Sequence, residues 1–283
     1  MEKHFTFESQ GCQLVATMHL PGRGERAACG LVLLHGWAGY RIGAHQMFVK
    51  LGRAAVERGY GCLRFDFRGR GDSEGDADAT TLSTMIADTK VAAEVMLREG
   101  GVDRVVLVGD CSGSEVAIGS GAQIEAVTAM VLWSAPIVGA DRQATDRAKK
   151  RDILRQYAVK LFRRETWAKL LSGNLQGGMI KRAVLRGGKG SGEEGSQSDR
   201  DIDWIRCFRR FPGDVLFVYG SKDPTAADAA AHFQSLTREA SRDWHLHLVE
   251  GANHAFYSVA WEDEVIAATL DWIAERYPVP AGP

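Results

Sequence analysis

Two short alternating runs open the chain, FTFES at 5–9 and QLVATMHLP at 13–21, and their position on either side of Gly11 predicts an antiparallel hairpin. The pattern then changes. Short, nearly unbroken apolar runs appear at 30–36 (GLVLLHG), 61–67 (GCLRFDF), 104–110 (RVVLVGD), 129–136 (AMVLWSAP), 214–220 (DVLFVYG) and 245–251 (HLHLVEG). Stretches with helical spacing stand between or after them, at 45–59, 81–99, 113–124, 225–240 and 261–276. A strand that is apolar on both faces belongs inside a mostly parallel sheet with helices above and below. The alternation therefore predicts an α/β fold: one open sheet of eight strands, the first two antiparallel.

The alternation stops after Pro136. From Asp141 to about Arg186 the chain reads as helical and basic, and 187–199 (GGKGSGEEGSQSD) is a Gly/Ser-rich flexible piece without core-forming residues. The expected organisation is a core of 1–136 and 213–283 interrupted by a helical lid at 137–212. Residues 141–189 hold fourteen Lys and Arg against four acids. Leu154, Tyr157, Ala158, Leu161 and Phe162 recur there at helical spacing. One reading is a lid helix whose apolar stripe covers a site while its charged face is solvated. The other is docking onto an anionic partner: a membrane surface, an acidic glycan or an acyl carrier protein.

Composition narrows the field. In 283 residues of which 45% are hydrophobic and 25% charged, a formal net charge of -1 supplies no global field for nucleic acid, so any anionic partner would meet a local patch. The five cysteines are scattered and include no C-x-x-C pair, which fits reduced thiols in a cytoplasmic protein and no structural metal. No run reaches the roughly 18 apolar residues of a membrane span, and the N-terminus lacks the features of a secretory leader.

The chemistry concentrates at GDCSGS, 109–114. A strand runs into a sharp turn and a helix, and the G-x-[nucleophile]-x-G spacing puts Cys111 at the tip with Gly109 and Gly113 on either side. In such a bend, side chains at the two glycine positions would collide with neighbouring backbone. The register selects Cys111 over Ser112, whose hydroxyl is expected to turn aside and leave its backbone N–H facing the site. Helix N-termini also favour thiolates. The plainer reading is a buried cysteine in a chance G-x-C-x-G string.

An acid and then a histidine should follow on loops after later strands. Asp223 comes directly after DVLFVYG, and His254 directly after HLHLVEG. The roles they suit are Cys111 as nucleophile, His254 as general base and then acid, and Asp223 as orienter of the imidazole. Taken singly, Asp223 also suits a turn before Pro224, and His254 a surface loop. Oxyanion donors are expected from the backbone N–H of Ser112 and of Trp37, which follows His35-Gly36 after the third strand. His35 and Gly36 read as structural neighbours of the site. The carboxylate nucleophile of epoxide or haloalkane chemistry is missing from the tip. No dinucleotide or phosphate fingerprint is present, so no cofactor is expected.

Together HGWAG, DFRGRGDSEG, GDCSGS, GSKD and GANH resemble the α/β-hydrolase superfamily, in the order expected and over nearly the whole chain. More narrowly, GYRIGAHQMFVKLGRAAVERGYGCLRFDFRGRGDSEGD, LFRRETWAKLLSG and NHAFYSVAWEDEVIAATLDWI resemble the exosortase A system-associated hydrolases. That group also carries a cysteine at the elbow. This chain departs from it at His35-Gly36-Trp37-Ala38, where the group tends to Gly-Gly-x-Gln, and at Ser112. The resemblance implies an α/β-hydrolase fold and a Cys-His-Asp enzyme acting on a small acyl substrate. Three functions stay open: hydrolysis of an ester or thioester, acyl transfer or cyclisation by the same triad, and a catalytically silent scaffold that binds through the pocket.

Overall fold

The computed structural model describes residues 1–22, 27–139, 199 and 201–279. Strands β1 (Glu2–Ser9) and β2 (Cys12–His19) pair antiparallel around Gln10 and Gly11. Those two residues have φ of 48° and 82°, the positive values of a tight turn whose twist matches the strands. The described elements that follow are β3 (Gly30–Leu34), α1 (Met47–Glu57), β4 (Gly61–Phe65), α2 (Leu82–Gly100), β5 (Val105–Asp110), α3 (Ser112–Gly121) and β6 (Val127–Trp133). Then come α4 (Trp204–Arg210), β7 (Asp214–Gly220), α5 (Ala226–Glu239), β8 (His245–Val249) and α6 (Val259–Arg276).

The eight strands form one sheet in the order β1-β2-β4-β3-β5-β6-β7-β8. Pairs β1/β2 and β2/β4 are antiparallel, and all others are parallel. Strand periodicity splits the core between the two faces. Val32, Leu107 and Phe217 pack with α2, α3, α4 and α5 on one side. Leu31, Val106 and Val131 pack with α1 and α6 on the other. Because β3, β5, β7 and β8 run parallel, their carboxyl ends open on one edge, where ligands of such sheets bind.

Most apolar runs outlast their strands. Ladder pairing stops at Leu34, Phe65, Trp133 and Val249, while His35, Asp66, Phe67, Ser134 and Ala135 stay buried beyond it. Apolar or enclosed positions after a strand thus mark loops tucked under the sheet edge, not more strand.

Core packing continues into the residues that flank the expected insertion. One compact unit comprises Met1–Gly139 with Asp201–Pro283, and a second comprises Ala140–Arg200. Ile137 and Val138 are buried with the core, as are Trp204, Phe208 and Phe211. The last three stand four and three residues apart, a helical spacing overshadowed by the Gly/Ser-rich segment just before it. The predicted lid helix, its basic residues and nearly all of the 187–199 segment lie outside the described residues. Among the described residues, no helix is long and apolar enough to cross a membrane.

Candidate active site

Cys111 stands between β5 and α3 with φ 53° and ψ -120°. A non-glycine residue held in such a sparsely populated region costs of order 1–3 kcal/mol, and such residues concentrate where geometry matters to function. Its surroundings fix the bend. The Cys111 N–H donates to Trp133 O at 2.9 Å, and the Ser114 N–H to Cys111 O at 2.9 Å. The Ser114 hydroxyl donates to Gly109 O, also at 2.9 Å. Both glycines are required by space: a Cβ at Gly109 would lie 2.5 Å from Gly113 O, and one at Gly113 only 2.0 Å from Leu34 O. Cys111 is half-buried, whereas Cys29, just ahead of β3, and Cys62, in β4, are buried, and burial pushes both thiols up to about 12.

Two further loops are stitched together at the same sheet edge. The Ser221 N–H donates to Val249 O (3.0 Å) and the Lys222 N–H to Ala252 O (2.8 Å). Gly220 permits the approach, since a Cβ there would meet Ala252 O at 2.4 Å. This brings Asp223 Oδ2 to 2.7 Å from His254 Nδ1. The other carboxylate oxygen, Oδ1, accepts the Thr225 N–H and hydroxyl, each at 2.9 Å. Burial opposes charge on Asp223, but the His254 hydrogen bond and the two Thr225 donors outweigh it and hold the carboxyl below its ordinary value. The Ser134 hydroxyl donates to the His254 carbonyl at 2.8 Å, so the loop after β6 also fixes the histidine.

The His254 imidazole is raised to about 10, first by its hydrogen bond to Asp223 and then by one to the Cys111 side chain, against a smaller opposing effect of burial. With Nδ1 committed to Asp223, the nitrogen left for Cys111 is Nε2. The structure therefore pairs His254 with Asp223 and sets Cys111 at the bend of the same sheet edge. Asp110, next to the cysteine, is pushed up to about 6 by burial while His254 pulls it down.

The other wall comes from the loop after β3. The Trp37 N–H donates to Ser112 Oγ at 2.6 Å, and Ser112 is buried. The Ser112 hydroxyl, expected to turn aside, thus takes up the Trp37 N–H expected to face the site. The cause is Gly36, where even a Cβ would lie within 3.4 Å of Cys111 Cβ and 3.6 Å of Ser112 Oγ, so the two loops touch. His35 is buried and structural in its contacts. It accepts the Phe67 N–H at Nε2 (3.3 Å) and lies 2.8 Å from Gly36 O at Nδ1, an arrangement that a neutral ring satisfies. Burial lowers its pKa to about 4.

The glycine-rich loop after β4 props this wall. Asp66 is fully buried and accepts from the Arg41 N–H and guanidinium and from the Asp72 N–H. Arg70 stacks its guanidinium 4.7 Å over the Trp37 ring. Sequence pattern does not mark Thr225, Ser134 or Arg70 as site residues. Of these only Thr225 has a local signal, the Asp-Pro-Thr spacing of a side-chain-capped turn.

A parallel sheet entered by an antiparallel hairpin, a strained strand-to-helix bend and a histidine–aspartate pair on two later loops define an α/β hydrolase. The chain belongs to the alpha/beta hydrolase family, whose model matches residues 31–268. Solved structures with the same fold include an esterase of Pyrococcus furiosus, with TM-score 0.66 and 17% identity over 98% of this chain and 91% of that one. Another is Est1E of Butyrivibrio proteoclasticus bound to ferulic acid, with TM-score 0.64 and 16% identity over 95% and 99%. A third is a proline iminopeptidase of Mycobacterium smegmatis, with TM-score 0.64 and 16% identity over 96% and 98%. No curated protein matches the chain.

Proposed function

We propose that this hydrolase cleaves an acyl ester or thioester through a covalent thioester on Cys111, with His254 as general base and then general acid and Asp223 as the carboxylate that orients the ring. The observation that carries the reading is the pairing of His254 Nδ1 with Asp223 Oδ2 at 2.7 Å, on loops at the sheet edge where Cys111 stands at the tip of a positive-φ bend. The Cys111 side chain is also among the groups that raise the His254 imidazole. The resemblance to the exosortase A system-associated hydrolases, which also place a cysteine at this point, supports the same assignment.

In the first half-reaction the sulfur, whose proton His254 Nε2 already holds, bonds to the acyl carbon, and the carbonyl π pair moves onto oxygen. When the carbonyl reforms, the bond to the leaving group breaks and that group takes the proton from His254. In the second half, water attacks the thioester, gives a proton to His254, and the C–S bond breaks with that proton kept on His254. Asp223, fixed at Oδ1 by Thr225, holds Nδ1 throughout and keeps Nε2 aimed at the sulfur.

The test compares wild type, Cys111→Ala, Cys111→Ser and His254→Ala on short acyl esters and thioesters, with and without an amine acceptor. Both alanine variants are expected to lose about 10³-fold or more in kcat/KM. Iodoacetamide is expected to label Cys111 ahead of Cys12, Cys29, Cys62 and Cys207, with that preference lost in His254→Ala. An active Cys111→Ala enzyme contradicts the assignment. A product carrying the amine would identify transfer as the second outlet of the same intermediate.

A further inference from the structure

The contact between Ser112 and Trp37 leaves an accounting question at the oxyanion site. An α/β hydrolase stabilises the developing oxyanion with the N–H after the nucleophile and an N–H from the loop after β3. Here the second of these, on Trp37, is already given to Ser112 Oγ at 2.6 Å. A hydroxyl carries one proton and two acceptor sites. Among the described residues the bond from Trp37 is the only one made by this hydroxyl, so its own proton has no acceptor among them. Ser112 is buried and faces Gly36, where a Cβ would sit 3.6 Å from Oγ. The oxygen is therefore held beside the elbow, with its proton given to no acceptor among the described residues.

We propose that the Ser112 hydroxyl is itself an oxyanion donor. It accepts the Trp37 N–H and directs its proton to the carbonyl oxygen of the substrate, beside the backbone N–H of the same residue. Trp37 then acts at one remove, by polarising the hydroxyl that it donates to, since chained hydrogen bonds strengthen one another. The arrangement puts both close donors on residue 112. As the C–S bond to Cys111 forms and the carbonyl π pair moves to oxygen, the donated proton stays on Oγ, so no proton transfer is added. This inference rests on the acyl-enzyme reading above.

Two reactions of the same sulfur separate it from a structural role. Acyl substrates pass through an oxyanion, while alkylation of Cys111 by iodoacetamide displaces iodide and forms none. In Ser112→Ala, kcat for a short acyl ester is expected to fall about 10- to 100-fold with KM changed less than about three-fold, because one donor is lost and the freed Trp37 N–H compensates in part. The iodoacetamide rate on Cys111 should match wild type, and Ser112→Thr, which keeps the hydroxyl, should retain most of kcat. Ser112→Gly provides the same pair of readings if Ser112→Ala does not fold. Turnover equal to or above wild type in the variants lacking the hydroxyl would overturn the proposal, because the hydroxyl would then merely obstruct Trp37. Equal losses in turnover and alkylation would also overturn it, by showing that Ser112 only shapes the elbow. An active Cys111→Ala enzyme is a distinct failure, of the triad and not of Ser112.

Discussion

Cys111 adopts a backbone conformation that L residues avoid, and Gly109 and Gly113 make it reachable by leaving no atom where the bend folds back on itself. Gly113→Ala would put a methyl 2.0 Å from Leu34 O, a backbone atom of the central strand that cannot swing away. A loss of about 2–3 kcal/mol is expected by denaturant unfolding, and a change under about 0.5 kcal/mol would contradict the packing described. These glycines were legible from spacing alone because the reason for them is local. The direction of the Ser112 hydroxyl was not legible, because it depends on the close approach of Gly36 from another strand. Thr225 lies between these cases: its spacing from Asp223 marks a turn, but only the pairing with His254 gives that turn a part in the site.

The strands and helices of the sheet were readable because burial on both faces leaves unbroken apolar runs, which a half-exposed strand or a surface helix would interrupt with polar residues. Their ends were less readable. His35, Asp66, Phe67 and Ser134 are enclosed like strand residues but belong to the loops that build or support the site. Helix α4 shows the converse, a core element hidden by its neighbours in sequence. The Phe208 ring lies 5.5 Å from Phe233 and 6.2 Å from Phe217, fully buried. Phe208→Ala is expected to cost about 3–5 kcal/mol, the usual range for an aromatic core truncation. A cost below about 1 kcal/mol would place α4 outside the core.

Across the whole molecule the site is a meeting of four loops, after β3, β5, β7 and β8, at one edge of the sheet. Their order along the chain marks the triad candidates, while the stitching of the last two loops through Gly220 and Ala252 is visible only in three dimensions. That stitching makes the histidine–aspartate pair a contributor to global stability with a defined pH window. His254 is raised from 6.5 to about 10, so its contribution is complete below 6.5 and is lost as pH rises toward 10. Asp223 is lowered from 3.8, so its contribution is present above that value and is lost in stronger acid. The stability difference between wild type and His254→Gln should thus be widest between the two ordinary values and close toward pH 10. A gap that widened toward pH 10 would contradict the pairing.

The central claim, that the sulfur at the bend carries the acyl group, is tested most directly by trapping that group. Wild-type protein is mixed with a slowly released acyl ester, quenched in acid, and read by intact mass and then by peptide mass spectrometry. The account predicts one acyl addition per chain, located on Cys111 and removed by Cys111→Ala. Turnover with no adduct at any quench time, or an adduct on Ser112 in place of Cys111, would contradict it.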